Sequence, residues 1–203
     1  MKRLPFTQPD EIVTATRMAA EVVAAGGVVL LPTESYYGLG VDPLRADGVA
    51  KICTMKNRAP ELGLPVLCAG WEQLETLARV PERFRIKLSR MWPAPLTVVV
   101  PSIAATAASR GGTLAVRIPD HASLRALLYR TGPLTGTSAN RHGRPPCTIV
   151  DDALDSLLGS PDLVLDAGST AGGEPSTVVD LSGERPRVLR SGACPWDDPN
   201  QPY

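Results

Sequence analysis

The stretch Val28-Val29-Leu30-Leu31-Pro32 decides the fold class. Four consecutive apolar residues closed by a proline describe a strand buried on both faces, because a strand with one wet face alternates apolar and polar residues. Such a strand needs helices on either side of its sheet. The sequence supplies one immediately upstream. Pro9-Asp10-Glu11 opens a helix with acidic residues in its first turn, where they complement the helix dipole. Ile12, Val13, Ala19, Ala20 and Val23 form its apolar stripe, and Gly26-Gly27 ends it.

Downstream the alternation continues. Residues 36–41 read as a second strand containing Gly38 and Gly40, and residues 46–56 as a helix. A strand over 65–69 precedes helices over 71–79 and 82–91. Strands over 96–100 and 114–118, a helix over 120–129, a strand over 134–137 and a helix over 150–158 follow. Strands over 163–166, 177–181 and 188–190 close the series. The early alternation predicts an α/β fold, and the closely spaced late strands add antiparallel pairing. The expectation is one α/β domain over residues 1–194, a twisted sheet of mixed parallel and antiparallel strands flanked by helices. Residues 195–203, Pro-Trp-Asp-Asp-Pro-Asn-Gln-Pro-Tyr, read as a short Pro/Asp-rich tail outside the core.

Composition narrows the partners. The 203 residues carry 21 Lys plus Arg against 21 Asp plus Glu, so the formal net charge is zero. A protein-wide basic coat for nucleic acid or anionic lipid is excluded, and any cationic site must be concentrated locally. No apolar stretch is long enough to cross a bilayer, and acidic residues interrupt the N-terminal segment where a signal peptide would be apolar. The expected location is the cytoplasm. Four cysteines with no C-x-x-C spacing and only two histidines argue against a protein-held metal, and a chain of this size needs no disulfide framework.

The familiar nucleotide motifs are absent: there is no G-x-x-x-x-G-K-[ST] and no G-x-G-x-x-G after a strand. Gly136-Thr137-Ser138-Ala139-Asn140 approaches a nucleophile elbow, but its last position is Asn, and no histidine follows an acid late in the chain. What remains is a set of polar clusters at strand ends. They are residues 32–40, Lys56-Asn57-Arg58, residues 92–97, Val116-Arg117-Ile118-Pro119, Thr137-Ser138-Ala139-Asn140, and residues 176–180 followed by Leu189-Arg190-Ser191-Gly192. Lys56 and Arg58 suit a solvated helix end, and Thr33 and Ser35 suit a turn or cap. Ser138 and Asn140 equally suit a turn after a strand. Trp92, flanked by proline, suits a packed wall. Arg117 interrupts an apolar strand, so it needs a partner or a cleft.

In order and wording these clusters resemble the YrdC-like family, the threonylcarbamoyl-AMP synthases. The resemblance spans residues 10–194. P-T-[DE]-[TS]-x-Y-G-L-G stands at 32–40, K-x-R at 56–58, W-P-G-P-L-T at 92–97 with Ala94 for Gly, and V-R-x-P at 116–119. T-S-A-N-x-S-G stands at 137–143 with His142 for Ser, S-T-V-V-D at 176–180 and L-R-x-G at 189–192. The resemblance implies a YrdC-like fold with a concave cleft. The implied enzyme is a nucleotidyltransferase that makes threonylcarbamoyl-AMP and pyrophosphate from L-threonine, bicarbonate and ATP. A threonylcarbamoyl-transferase complex would use the adenylate to modify tRNA.

Residue roles carried over by that resemblance are as follows. Lys56, Arg58 and Arg190 line the triphosphate, with Lys56 and Arg58 catalytic and both exposed in the cleft. Ser138, Asn140, Ser176 and Thr177 hydrogen-bond phosphate or ribose. Thr33, Ser35 and Tyr37 shape the threonine pocket, and the Arg117 fork takes the threonine carboxylate. Mg2+ accompanies ATP, held by its oxygens and water, with no ion held by protein side chains alone. Ser35 stands where synthases commonly carry Thr, and Leu64 where many carry a polar residue. Two other readings follow: a family paralogue acting on a different small substrate, and a module that binds double-stranded RNA or tRNA without synthase activity.

Overall fold

A computed structural model describes residues 1–197. The chain runs β1 (Lys2–Pro5), α1 (Pro9–Ala24), β2 (Val29–Pro32), β3 (Tyr37–Gly40), α2 (Ala46–Lys56), a 3₁₀ turn at Pro60–Leu62 and β4 (Val66–Leu67). It continues through α3 (Trp71–Leu77), α4 (Glu82–Met91), β5 (Leu96–Pro101), β6 (Thr113–Arg117), α5 (Ala122–Thr131), β7 (Leu134–Thr135) and β8 (Thr137–Ser138). It ends with α6 (Val150–Ser156), β9 (Leu163–Asp166), β10 (Thr177–Asp180) and β11 (Arg187–Arg190). Strand pairing is mixed, as expected, but the strands divide between two sheets. One has the order β1-β9-β2-β3-β8 and the other β11-β10-β5-β6-β4-β7.

The run at 28–31 lies at the centre of the first sheet, with every residue buried. Its two faces feed different cores. Val28 and Leu30 join the larger apolar cluster, while Val29 and Leu31 join the cluster that holds α1 and α5. That division explains the absence of alternation. β2 pairs antiparallel with β3 through a four-residue turn, 33–36, and parallel with β9.

In α1, Glu11 Oε2 accepts from the Thr7 and Gln8 main-chain N–H groups, a capping box that holds its carboxyl below the ordinary carboxylate pKa. Ala15, Ala19 and Val23 form the buried stripe. Val13, expected inward, is 71% exposed, because the helix turns its Ala15–Ala19 ridge toward α5. The strand expected over 134–137 breaks at Gly136. β7 pairs with β4 in one sheet and β8 with β3 in the other, so the chain crosses between sheets at that residue. A Cβ there would stand 2.3 Å from the Leu67 Cγ, so the crossing is open to glycine alone.

β1 was not anticipated; it is a parallel edge strand beside β9. The tail does not leave the core at residue 195. Trp196 packs against the larger apolar cluster, and the Lys87 ammonium lies 3.9 Å from its ring centroid, so apolar burial and a cation–π contact tie it down. The rest of the expected tail, 198–203, lies outside the described residues.

The second sheet positions the site. Leu96, Val98, Val100, Leu114, Val116 and Val179 point into the apolar cluster. Their neighbours Thr97, Val99, Thr113, Ala115, Arg117, Val178 and Asp180 point the other way and floor a cleft.

Candidate active site: an arginine-lined cleft

The cleft has a volume of about 910 Å³. Its walls are the 33–38 turn, the segment 62–65, the loop 108–113 and the segment 136–146, with 175–190 along the rim. Six arginines line it: Arg58, Arg110, Arg117, Arg144, Arg187 and Arg190. Among the described lining residues Asp180 is the one carboxylate, and it already accepts from Ser182 N, Ser182 Oγ and Arg187. Six of the 21 cationic side chains of a neutral chain thus meet in one hollow, which favours an anionic ligand.

Of the expected nucleotide residues, Arg58, Ser138, Asn140, Ser176 and Arg190 line the cleft. Arg58 donates to the Leu62 and Gly63 carbonyls at 3.2 and 3.0 Å, and its Nε is buried without a partner among the described residues. Arg190 grips the Ser176 carbonyl with Nε and a terminal nitrogen, at 3.0 and 2.7 Å, and also donates to Ser176 Oγ. Burial, and then repulsion from Arg117, lower the Arg190 pKa. Two guanidinium groups held this close favour an anion between them.

Two expected residues are placed differently. Lys56 is not exposed in the cleft: it is 2% exposed, and its ammonium donates to the Ser138 and Asn140 carbonyls. Burial, with repulsion from Arg58 second, lowers its pKa to about 8. The reason is local geometry. Lys56 is the last residue of α2, Asn57 follows in the left-handed region (φ 49°), and this reversal sends Arg58 alone into the cleft. Thr177 is not among the lining residues; its hydroxyl donates to the Cys194 carbonyl at 2.5 Å.

Thr33, Ser35, Tyr37 and Arg117 all border the cleft. Thr33 Oγ1 donates to Tyr36 O and accepts from Ser35 and Tyr36 N–H, so it shapes the turn. The Tyr37 hydroxyl points away, donating to Gly168 O and accepting from Ala167 N–H. Burial raises its pKa. Arg117 is 7% exposed and pairs with Glu34, whose same oxygen accepts from Asp120 N–H. The Arg117 Nε is buried without a partner among the described residues. Leu64 is buried and adds an apolar patch to the wall.

Arg110, Arg144 and Arg187 were not anticipated. Arg110 and Arg144 sit in loops without periodicity. Arg187 had no signal either, because alternation from the expected Arg190 would turn it away, whereas it lines the cleft together with Leu189. Strict alternation would then turn Arg190 away. Val178 pairs with Arg190 and Val179 with Val188, so Leu189 is the extra residue of a β-bulge, and the bulge aims Arg190 inward.

The chain after β11 returns past this rim. Ala193 N–H donates to the Pro175 carbonyl, and a Cβ on Gly192 would stand 2.1 Å from that carbonyl oxygen. Gly192→Ala is expected to cost about 2–3 kcal/mol, because main chain rather than a flexible side chain must move. The melting temperature should fall by roughly 5–10 °C. Displacing Ser176 and Arg190 should also weaken anion binding. An unchanged melting curve would show that the contact yields.

Among the described residues, no group of three or more His, Cys, Asp or Glu side chains is placed to hold a metal ion, and no helix is long and apolar enough to cross a membrane.

Fold and site define a class: an α/β protein whose two mixed sheets enclose a deep, cationic, hydroxyl-rich cleft. The family model described as "Telomere recombination", covering the Sua5, YciO and YrdC proteins, matches residues 21–192. The chain belongs to that family. It is 36% identical over 187 residues to the threonylcarbamoyl-AMP synthase of Pyrococcus abyssi, an alignment covering 90% of this chain and 55% of that one. It is 38% identical over 152 residues to the threonylcarbamoyl-AMP synthase of Pseudomonas aeruginosa, covering 70% of this chain and 82% of that one. The structure of P. abyssi Sua5 complexed with L-threonine superposes with a TM-score of 0.84 at 33% identity, covering 94% of this chain and 57% of that chain. This chain therefore spans little more than half the length of its Pyrococcus relative.

Proposed function

We propose that the chain is an L-threonylcarbamoyladenylate synthase. The carrying observation is the convergence of Arg58, Arg117 and Arg190, from three distant segments, in one cleft with small hydroxyl groups and a narrow apolar wall. The relatives named for this activity support the same reading.

The amine of L-threonine takes up bicarbonate carbon with loss of water, giving a carbamate. A carbamate oxygen then attacks the α-phosphorus of ATP, the bond to the β-phosphate oxygen breaks, and pyrophosphate leaves. Negative charge spreads over the non-bridging oxygens and the leaving group, so the protein's task is positioning and fixed positive charge. Arg58 and Arg190 take the triphosphate, with Ser138, Asn140 and Ser176 as hydrogen-bonding groups. Lys56 and Thr177 act from behind the wall. The Arg117 fork takes the threonine carboxylate, Thr33 and Ser35 border the amino acid, and Leu64 faces its methyl group. Tyr37 holds the wall through its hydroxyl. Mg2+ would arrive on the ATP oxygens, completed by water. A carbamate decomposes readily in water, so the enclosed cleft protects it until adenylation. The product would pass to a threonylcarbamoyl-transferase complex acting on tRNA, which places the work in the cytoplasm.

The test is incubation with ATP, bicarbonate and labelled L-threonine. Labelled adenylate and threonine-dependent pyrophosphate are expected, with serine poorer by about tenfold for its missing methyl. Neither product with threonine would overturn the proposal, and turnover with another amino acid alone would reassign the substrate.

A further inference from the structure

We infer that Lys56 is a positioning residue: from behind the cleft wall its ammonium fixes the 138–140 segment through two main-chain carbonyls, and so sets how that segment meets the nucleotide. This deepens the reading given under Proposed function and rests on it for the identity of the ligand.

A lysine this buried needs partners, and Lys56 has them at both ends. Its Nζ donates to Ser138 O and, at 2.6 Å, to Asn140 O. Its own carbonyl accepts from His142 N–H at 2.7 Å. The opposite ends of the two gripped peptides are also held. Ala139 N–H donates to Tyr37 O at 2.8 Å, and Arg141 N–H donates to Ser156 Oγ at 3.2 Å. The Asn140 amide nitrogen is spent on the Arg141 and Arg144 carbonyls, at 2.9 and 2.6 Å.

With both peptide planes pinned, the segment brings Ser138 and Asn140 into the lining of the cleft. Asn140 Oδ1 is buried without a partner among the described residues. Lys56 is not among the residues lining the cleft, whereas Arg58 is. The K-x-R spacing therefore divides labour: the arginine faces the ligand, and the lysine braces the loop that faces it.

The titratable groups facing Lys56 are Arg58 and Cys53 at its own helix end and Cys147 on the segment before α6. The 138–142 loop faces it with carbonyls, which the protonated amine, with its charge and third N–H, engages more strongly than the neutral one. Burial raises the Cys53 and Cys147 pKa values, so neither thiol gains charge in the range where Lys56, lowered to about 8, loses it. The brace is strongest below that pH and weakens as pH rises through it.

The experiment compares wild type, Lys56→Met and Arg58→Met by amide hydrogen exchange without ligand and by ATP titration from pH 7 to 9.5. Lys56→Met should speed exchange at residues 139–142 by about tenfold or more, with the sheet centres unchanged. Its ATP dissociation constant should rise by about tenfold and lose pH dependence, while wild type weakens across pH 8. ATP itself does not titrate there. Arg58→Met should lose ATP affinity with loop exchange unchanged. Lost ATP affinity in Lys56→Met with an undisturbed loop would make Lys56 a direct ligand and overturn the inference. If Lys56→Met fails to fold, wild-type protection at 139–142, corrected for base catalysis, decides: no selective fall above pH 8 overturns it. A wild type that does not bind ATP would sink the synthase reading, leaving the loop exchange to judge the brace independently.

Discussion

An Arg58→Met chain is expected to lose about 10²–10³-fold in kcat/KM for ATP while staying folded, the scale seen when one preorganised charge-stabilising donor is removed. Arg58 combines the features that predict this. It lines the cleft, its Nε is buried without a partner among the described residues, and its other contacts are to the Leu62 and Gly63 carbonyls of a short turn. Losing those two hydrogen bonds costs about 0.5–1.5 kcal/mol each. The melting temperature should therefore drop by only several degrees, at about 2–4 °C per kcal/mol for a chain of this size. Steady-state kinetics with varied ATP, beside thermal unfolding, checks both halves. Activity that falls only in step with melting temperature would make Arg58 a structural residue.

Arg117→Met is expected to raise the KM for L-threonine by about 10²-fold, since removing one partner of a buried, hydrogen-bonded charge pair costs several kcal/mol. It should also destabilise the chain. Glu34 is 17% exposed in its side chain, its Oε2 is already buried without a partner among the described residues, and Arg117 is a cation paired with it. Stranding that carboxylate costs about 3–5 kcal/mol. Glu34→Gln added to Arg117→Met removes the stranded charge. The double variant should regain much of the melting temperature and none of the threonine affinity. Recovery of both, or of neither, would show that Arg117 does not serve the amino acid and the fold in the two ways described.

The two arginines also show what a linear reading sees. Arg117 was legible because a charge inside an apolar strand is locally anomalous, and Glu34 satisfies the partner it required. Helix α2, the doubly buried strand β2 and the turn residues Thr33 and Ser35 were legible for the same kind of reason. Their periodicity, glycines and prolines act over a few residues. Lys56 was misplaced because a lysine at a helix end is ordinarily solvated. The residues that enclose it, Ser138 and Asn140, lie more than eighty positions away. Arg110 and Arg144 lie in loops where no period marks a face, and the inward turn of Arg190 depends on a bulge that exists only once β11 is paired with β10.

By itself, the sequence determined the order of strands and helices apart from β1 and the division at Gly136, the mixed pairing and the polar clusters at strand ends. Those follow from short-range backbone preference and from burying apolar stripes. Only the tertiary structure decided that the strands form two sheets, that Gly136 carries the chain between them, and which cation of the Lys-x-Arg pair meets the cleft. Those outcomes depend on packing between distant segments, because burial and electrostatic environment belong to the assembled neighbourhood rather than to any residue's own stretch of chain.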